Sequence, residues 1–278
     1  MAVVISSSLV LTEPEQFTLN NPIIGYDNVV TASGIFSDSG QDDFPSDNLA
    51  NPATHQFWRS SNDNEQYVTC FTGRADPLDY VAVAGHNWSS MAYPVSIEGA
   101  SELNTAEEPE WFELVQDVIL PDDGPAIFRF ELQSLIAFRI RLQATALPSA
   151  DPPEAAVVYA GRLLVLQRRI YVGHRPINLA RTANIVSPRS TSGQFLGRIV
   201  LSEENNTDVA MQNLTPDWVR EFLMPFIRAS KEAPFFFAWR PEDYPYETGY
   251  AWLTSDPQPV NQLPNGMMSV ELAMSGVI

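Results

Sequence analysis

The chain has 278 residues, 45% of them hydrophobic, with 22 Pro, one Cys, and 34 Asp plus Glu against 16 Lys plus Arg, for a formal net charge of -18. That length allows one large or two modest domains, each able to bury a core. The acid excess argues against nucleic acid and anionic membranes, which need clustered Lys and Arg, and Cys70 alone excludes an intrachain disulfide or a multi-thiolate metal site.

Met1 to Thr12 lacks a cationic n-region and its short apolar run is broken by Ser6, Ser7 and Ser8, so it does not read as a signal peptide. No window approaches the apolar length of a membrane span, and the expectation is a soluble chain made in a reducing cytosol. From Met1 to Leu166, short apolar runs alternate with turn-forming residues. The runs are Ala2 to Leu11, Asn28 to Thr31, Gln66 to Phe71, Tyr80 to Ala84, Pro94 to Glu98, Trp111 to Leu120, Ala126 to Leu132 and Ala137 to Gln143. Strands at this spacing predict a β-sandwich or jelly roll.

Ala144 to Ala155 holds three prolines and reads as a linker or long loop, which predicts one domain over 1–165 and a second over 166–278. In the second, two β segments, Asn184 to Val186 and Phe195 to Ser202, flank the turn-rich Pro188 to Gln194 and predict a long hairpin. Thr215-Pro-Asp-Trp opens a helix, with Thr215 as cap, Pro216 in the first turn and Asp217 at the positive end. Trp218, Phe222 and Phe226 follow at helical spacing, and Pro225 predicts a kink. Strands over Pro234 to Arg240, Tyr250 to Thr254 and Met267 to Met274 complete a second β unit.

Charge divides unevenly between these units. Residues 1–150 carry 5 Arg and 21 acids, whereas residues 151–278 carry 11 cations and 13 acids. Near-neutrality of the second unit suits close packing of like copies.

Catalytic signatures are missing: there is no Gly-x-Ser-x-Gly elbow, His-Glu-x-x-His, phosphate loop or dinucleotide fingerprint, so a non-enzymatic protein is expected, with no cofactor apart from a candidate structural calcium. Asp38, Asp42, Asp43 and Asp47 crowd one Ser/Gly-rich loop, the oxygen chemistry that a hard cation takes; the alternative is a solvated surface. Trp58 and Arg59, with His86, Asn87 and Trp88, supply the aromatic faces and hydrogen-bonding groups of a carbohydrate site; the alternative is that both indoles plug the core.

Two stretches resemble a known family. Asn48 to Gly99, with His55-x-x-Trp58-Arg-Ser and Asp79-Tyr-Val-Ala-Val-Ala-Gly-His-Asn-Trp, looks like the galactose-binding-like jelly-roll modules of tail proteins in long-tailed bacteriophages. Arg169-Ile-Tyr-Val-Gly-His-Arg-Pro-Ile, Ser192-Gly-Gln-Phe-Leu-Gly-Arg, Leu214-Thr-Pro-Asp-Trp and Pro234-Phe-Phe-Phe-Ala-Trp-Arg-Pro-Glu-Asp-Tyr-Pro resemble the other half of such proteins. The resemblance implies an all-β chain: a galactose-binding-like jelly-roll sandwich, then a tail-tube or distal-tail-like β-sandwich with one helix and a long hairpin. It further implies a structural protein of the virion tail, made in the host bacterial cytoplasm, whose second unit closes a ring, a homohexamer, against tail tube, hub or fibre proteins. The alternative is a host-glycan-binding adhesin or fibre-attachment collar. Arg189, Ser190, Gln194, Phe195 and Arg198 are the expected contacts between subunits, on or beside the polar, turn-rich Ser187 to Phe195 hairpin, since a ring subunit exposes strand edges and apolar patches that neighbours must cover; the alternative is an ordinary exposed hairpin.

Overall fold

A computed structural model describes residues 1–11, 18–73, 76–147, 151–170, 173–262 and 265–277. Residues 171–172 of the Arg169 to Ile177 motif lie outside them.

Among the described residues the chain is all-β apart from one interrupted helix and two short 3-10 helices, Ser46–Ala50 and Ile177–Leu179. Its strands are β1 (Ala2–Ile5), β2 (Ile23–Gly25), β3 (Ile35–Ser37), β4 (Trp58–Arg59), β5 (Gln66–Phe71), β6 (Leu78–Ala84), β7 (Val95–Ala100), β8 (Phe112–Val118), β9 (Ala126–Gln133) and β10 (Ala137–Leu142). There follow β11 (Glu154–Ala155), β12 (Val157–Gly161), β13 (Leu164–Val165), β14 (Arg181–Val186), β15 (Ile199–Leu214), β16 (Phe235–Ala238), β17 (Thr248–Leu253), β18 (Val260–Asn261) and β19 (Met268–Val277).

Three sheets stack as layers. A five-stranded sheet, β3-β5-β10-β7-β8, faces a four-stranded sheet, β1-β9-β6-β12, and these two form the expected sandwich. Val68, Cys70, Ile97, Phe138 and Ile140 from one sheet meet Val81, Val83, Phe128, Phe130 and Val158 from the other. The four-stranded sheet is covered on its other face too: Val3, Tyr80, Ala82, Ile127 and Tyr159 pack on Ile23, Phe236, Ala238 and Tyr250 of the third sheet. Burial on both faces explains why β12 is wholly buried and β6 nearly so, and why their sequences run apolar without alternation.

The third sheet runs β13-β2-β16-β17-β19-β15-β14, with β18 beside β19. Its far face carries α1 (Pro216–Trp218), a π-helical turn (Val219–Leu223) and α2 (Met224–Ala229). Trp218, Leu223, Phe226 and Ile227 pack on Ile24, Phe235, Phe237 and Leu272. The break expected at Pro225 takes the form of this wide turn, which sits where a proline without an N–H cannot close the regular ladder.

The sheets do not follow one cut in the chain. β2, from the expected first domain, pairs with β13 and β16 and completes the third sheet. Nor is Ala144 to Ala155 a linker in its described part. Asn87 Nδ2 donates to the Pro152 carbonyl, Ser60 N–H to that of Pro153, and Glu154–Ala155 pairs with Trp58–Arg59. The Asn28 to Thr31 run is not a strand; Val29 N–H reaches the Ala160 carbonyl without extending a ladder. No helix among the described residues is long and apolar enough to cross a membrane.

Candidate functional site

The feature least explained by the chain's own packing is a β-ribbon formed by β14 and the start of β15. Arg181 to Val186 pair with Asn205 back to Ile199, through a register shift between Asn184 and Ile185. β15 also pairs with β19, but only from Asn205 onward. Among the described residues, 181–204 pair only with each other, as β14 and the start of β15. Inside the sheet β15 alternates, with Thr207, Val209 and Met211 buried; along Ile199–Glu204 every residue is exposed.

The ribbon is apolar as well as exposed. Phe195 is 66%, Leu196 63%, Ile199 58% and Leu201 61% exposed, and Val186 and Val200 add to the strip. Its tip is ordered by its own backbone: Ser190 N–H donates to the Gln194 carbonyl, Gly193 N–H to that of Ser190, Leu196 N–H to that of Pro188, and Arg189 bridges Phe195. Gly193 has φ +82, open space around its α-carbon, and supplies the left-handed residue of the turn. Arg189, Gln194, Phe195 and Arg198 all stand exposed on this tip, with Ser190 half-buried among them. An isolated two-stranded ribbon is marginal in water, and its open edges are templates for pairing.

The proposed carbohydrate residues lie elsewhere and do not form a binding face. Trp58 and Trp88 are both 0% exposed, so neither indole presents a face to a sugar. Trp58 Nε1 donates to the Ser39 carbonyl at 3.0 Å, and both rings belong to the sandwich core. His86 is buried as well: one ring nitrogen bonds the Gly124 carbonyl at 2.9 Å and the other accepts Trp88 N–H. With Nδ1 an acceptor, Nε2 must carry the proton, and burial pulls the pKa down to about 4. Asn87 uses both ends of its amide, donating to Pro152 and accepting Glu154 N–H. Arg59 pairs with Glu154 at 2.5 and 2.8 Å and lies 5.2 Å from the ring centroids of Phe44 and Phe57. These five residues knot one end of the sandwich.

Asp38, Asp42, Asp43 and Asp47 are all exposed, and among the described residues no group of three or more His, Cys, Asp or Glu is placed to hold a metal ion. Mutual repulsion and full hydration keep such loop carboxylates apart.

Two hollows went unnoticed in the sequence. A polar depression of about 340 Å³ is lined by Asp43, Phe44, Asn48, His55, Gln56 and Phe57. A cavity of about 530 Å³ lies where the four-stranded sheet, the third sheet and the helix meet, and Asp79 and Arg129 line it. The available signal was a charged residue inside each of two apolar runs, Leu78-Asp-Tyr-Val and Ile127-Phe-Arg-Phe.

The fold and the ribbon define an all-β protein of three stacked sheets with an uncovered β-arm. No family model matches the chain, and no curated protein matches it. Among solved structures, it is similar to chitosan-binding module 1 of a chitosanase/glucanase from Paenibacillus sp. IK-5, at 12% identity over 49% of this chain and 98% of that one, with a TM-score of 0.40. It is similar to CpGH89CBM32-5 from Clostridium perfringens, solved with GalNAc-β-1,3-galactose, at 8% identity, 46% and 93% coverage and a TM-score of 0.39. The CBM32 of AlyQ, solved with 4,5-unsaturated mannuronic acid, matches at 16% identity, 49% and 96% coverage and a TM-score of 0.37. At these scores the likeness assigns no ligand and no role to this chain.

Proposed function

We propose that this chain is a non-enzymatic assembly protein that builds a closed ring from copies of itself through the β14–β15 arm. The observation that carries the reading is the arm: a two-stranded ribbon on which Val186, Phe195, Leu196, Ile199 and Leu201 stand exposed. A second copy is the occupant that charge favours. The arm carries Arg181, Arg189 and Arg198, with Arg181 already near Glu203 at 3.5 Å, while residues 1–150 of a neighbour offer 21 acids against 5 Arg. An arm seated on a different surface of the next copy is a head-to-tail contact, which closes into a ring when the rotation from copy to copy completes a circle. The motif resemblance supports placing this ring at the distal tail or tail tip of a long-tailed bacteriophage, against tube, hub or fibre proteins.

Sedimentation velocity of the full chain tests the reading. The wild type sediments as a discrete oligomer, and Leu201→Asp, on a fully accessible strand, gives a folded monomer. A wild-type monomer at micromolar concentration would overturn it.

A second reading, glycan binding by the sandwich, draws support from the 340 Å³ depression, where Asn48, His55 and Gln56 surround the stacked rings of Phe44 and Phe57, 4.5 Å between centroids. Calorimetry with host envelope oligosaccharides tests it: saturable heat lost in Gln56→Ala supports it, and no heat with any of them removes it.

A further inference from the structure

Of the two sheets of the sandwich, the four-stranded one is covered on both faces, so the outer side of the five-stranded sheet is the broad face the sandwich offers a partner. Strand register lines up Phe36, Thr69, Arg139, Glu98 and Glu113 across that side in one row, with Tyr67 and Phe71 flanking Thr69 along β5. Phe36 is 51% and Phe71 44% exposed, and their rings meet edge to face with centroids 6.4 Å apart. An exposed aromatic pair rimmed by charged residues is the surface that a partner's apolar strip covers.

The cations on this face are already engaged. Arg139 pairs with Glu98 and lies 4.4 Å from the ring centroids of both Tyr67 and Trp111, while Arg141 pairs with Glu65 at 2.7 Å. Glu113, opposite Glu98 on the neighbouring strand, stands exposed, so the face presents three acids against two held cations. The arm has the opposite character. Val186 sits across from Ile199 and Leu201 follows two positions on, which puts the three on one side of the ribbon, and residues 185–202 carry Arg189 and Arg198 with no acid among them. Apolar strip and free cations on one surface match aromatic pair and excess carboxylate on the other.

We propose that the arm of one copy seats across the outer face of the five-stranded sheet of the next, with Ile199 and Leu201 on Phe36 and Phe71 and with Arg189 and Arg198 toward Glu98 and Glu113. The seat rests on the ring reading above and names the surface that receives the arm.

Cross-linking of full chains tests the seat. Chains carrying Leu201→Cys with either Phe36→Cys or Phe71→Cys are treated with a short bis-maleimide; Cys70 is wholly buried and takes no part. A ladder of covalent dimers and larger species forms at least about tenfold faster than from Leu201→Cys with Gln258→Cys, an exposed position between β17 and β18, because docking raises the effective concentration of the paired thiols. Sedimentation supplies a second readout: Phe36→Ala combined with Phe71→Ala, both at exposed positions, weakens association at least about tenfold, the loss of a central aromatic anchor. A wild-type oligomer with neither ladder above the control, or one that the double alanine variant leaves unchanged, overturns the seat while the ring reading stands. A monomeric wild type overturns both.

Discussion

The imidazole of His86 stacks on the indole of Trp88, ring centroids 4.9 Å apart and planes 27° from parallel, and accepts the Trp88 backbone N–H on Nδ1. This pair closes the turn after β6 and makes the imidazole a structural group that must stay neutral. Protonation would place a second donor against the Trp88 N–H.

A pH dependence follows from that pair. Burial lowers the His86 pKa from 6.5 to about 4, so as pH falls the unfolded chain takes the proton first. The stability it contributes is present above pH 6.5 and is lost as pH falls through the folded value, a change of about 3 kcal/mol. Urea unfolding of the wild type and of His86→Gln across this window should give a shallower acid loss in the variant. Parallel curves would contradict the assignment.

Gly85 precedes His86 with φ +66, and a Cβ placed there would lie 2.8 Å from the Ala156 side chain. Gly85→Ala should cost about 2 kcal/mol or more, combining left-handed strain with overpacking. Gly266→Ala, at φ +68 with open space around it, isolates the strain and should cost about half as much. Equal losses by thermal unfolding would show that the Ala156 contact contributes nothing.

Cys70 is wholly buried on β5, and burial pushes its thiol up to about 12. Ellman's reagent should therefore label it only as fast as the sandwich opens, and at once in denaturant. Stoichiometric labelling of the native chain within seconds would contradict the packing of β5.

The three-layer arrangement predicts that residues 166–278 do not fold alone. Such a fragment lacks β2 and β13 and exposes Phe236 and Tyr250, which the four-stranded sheet covers in the full chain. It should show no cooperative thermal transition. A sharp melt of the isolated fragment would contradict the role assigned to β2.

The sandwich was largely legible in the sequence because its strands are bounded by turn residues, and β9 and β10 show alternation. β2 was not: it has three residues and pairs with β16 more than two hundred positions away, so no local pattern marks it. The division at 165 missed the third layer for the same reason, although the apolar run from Tyr80 to Ala84 of β6 was a sign of burial on both faces. Trp58 and Trp88 illustrate a different gap. An aromatic residue at a strand end serves a core or a binding face equally well in sequence terms, and only the packing around it decides. The arm was legible as a hairpin from Pro188 to Gln194, whereas the exposure of Ile199 and Leu201 depends on the packing around them and no local pattern marks it.

Electron cryo-microscopy of the full chain's assembly tests the central claim most directly. The account predicts a closed ring in which residues 181–204 of each copy lie against the acidic first half of its neighbour. Isolated monomers, or a ring whose arms stand free in solvent, would contradict it.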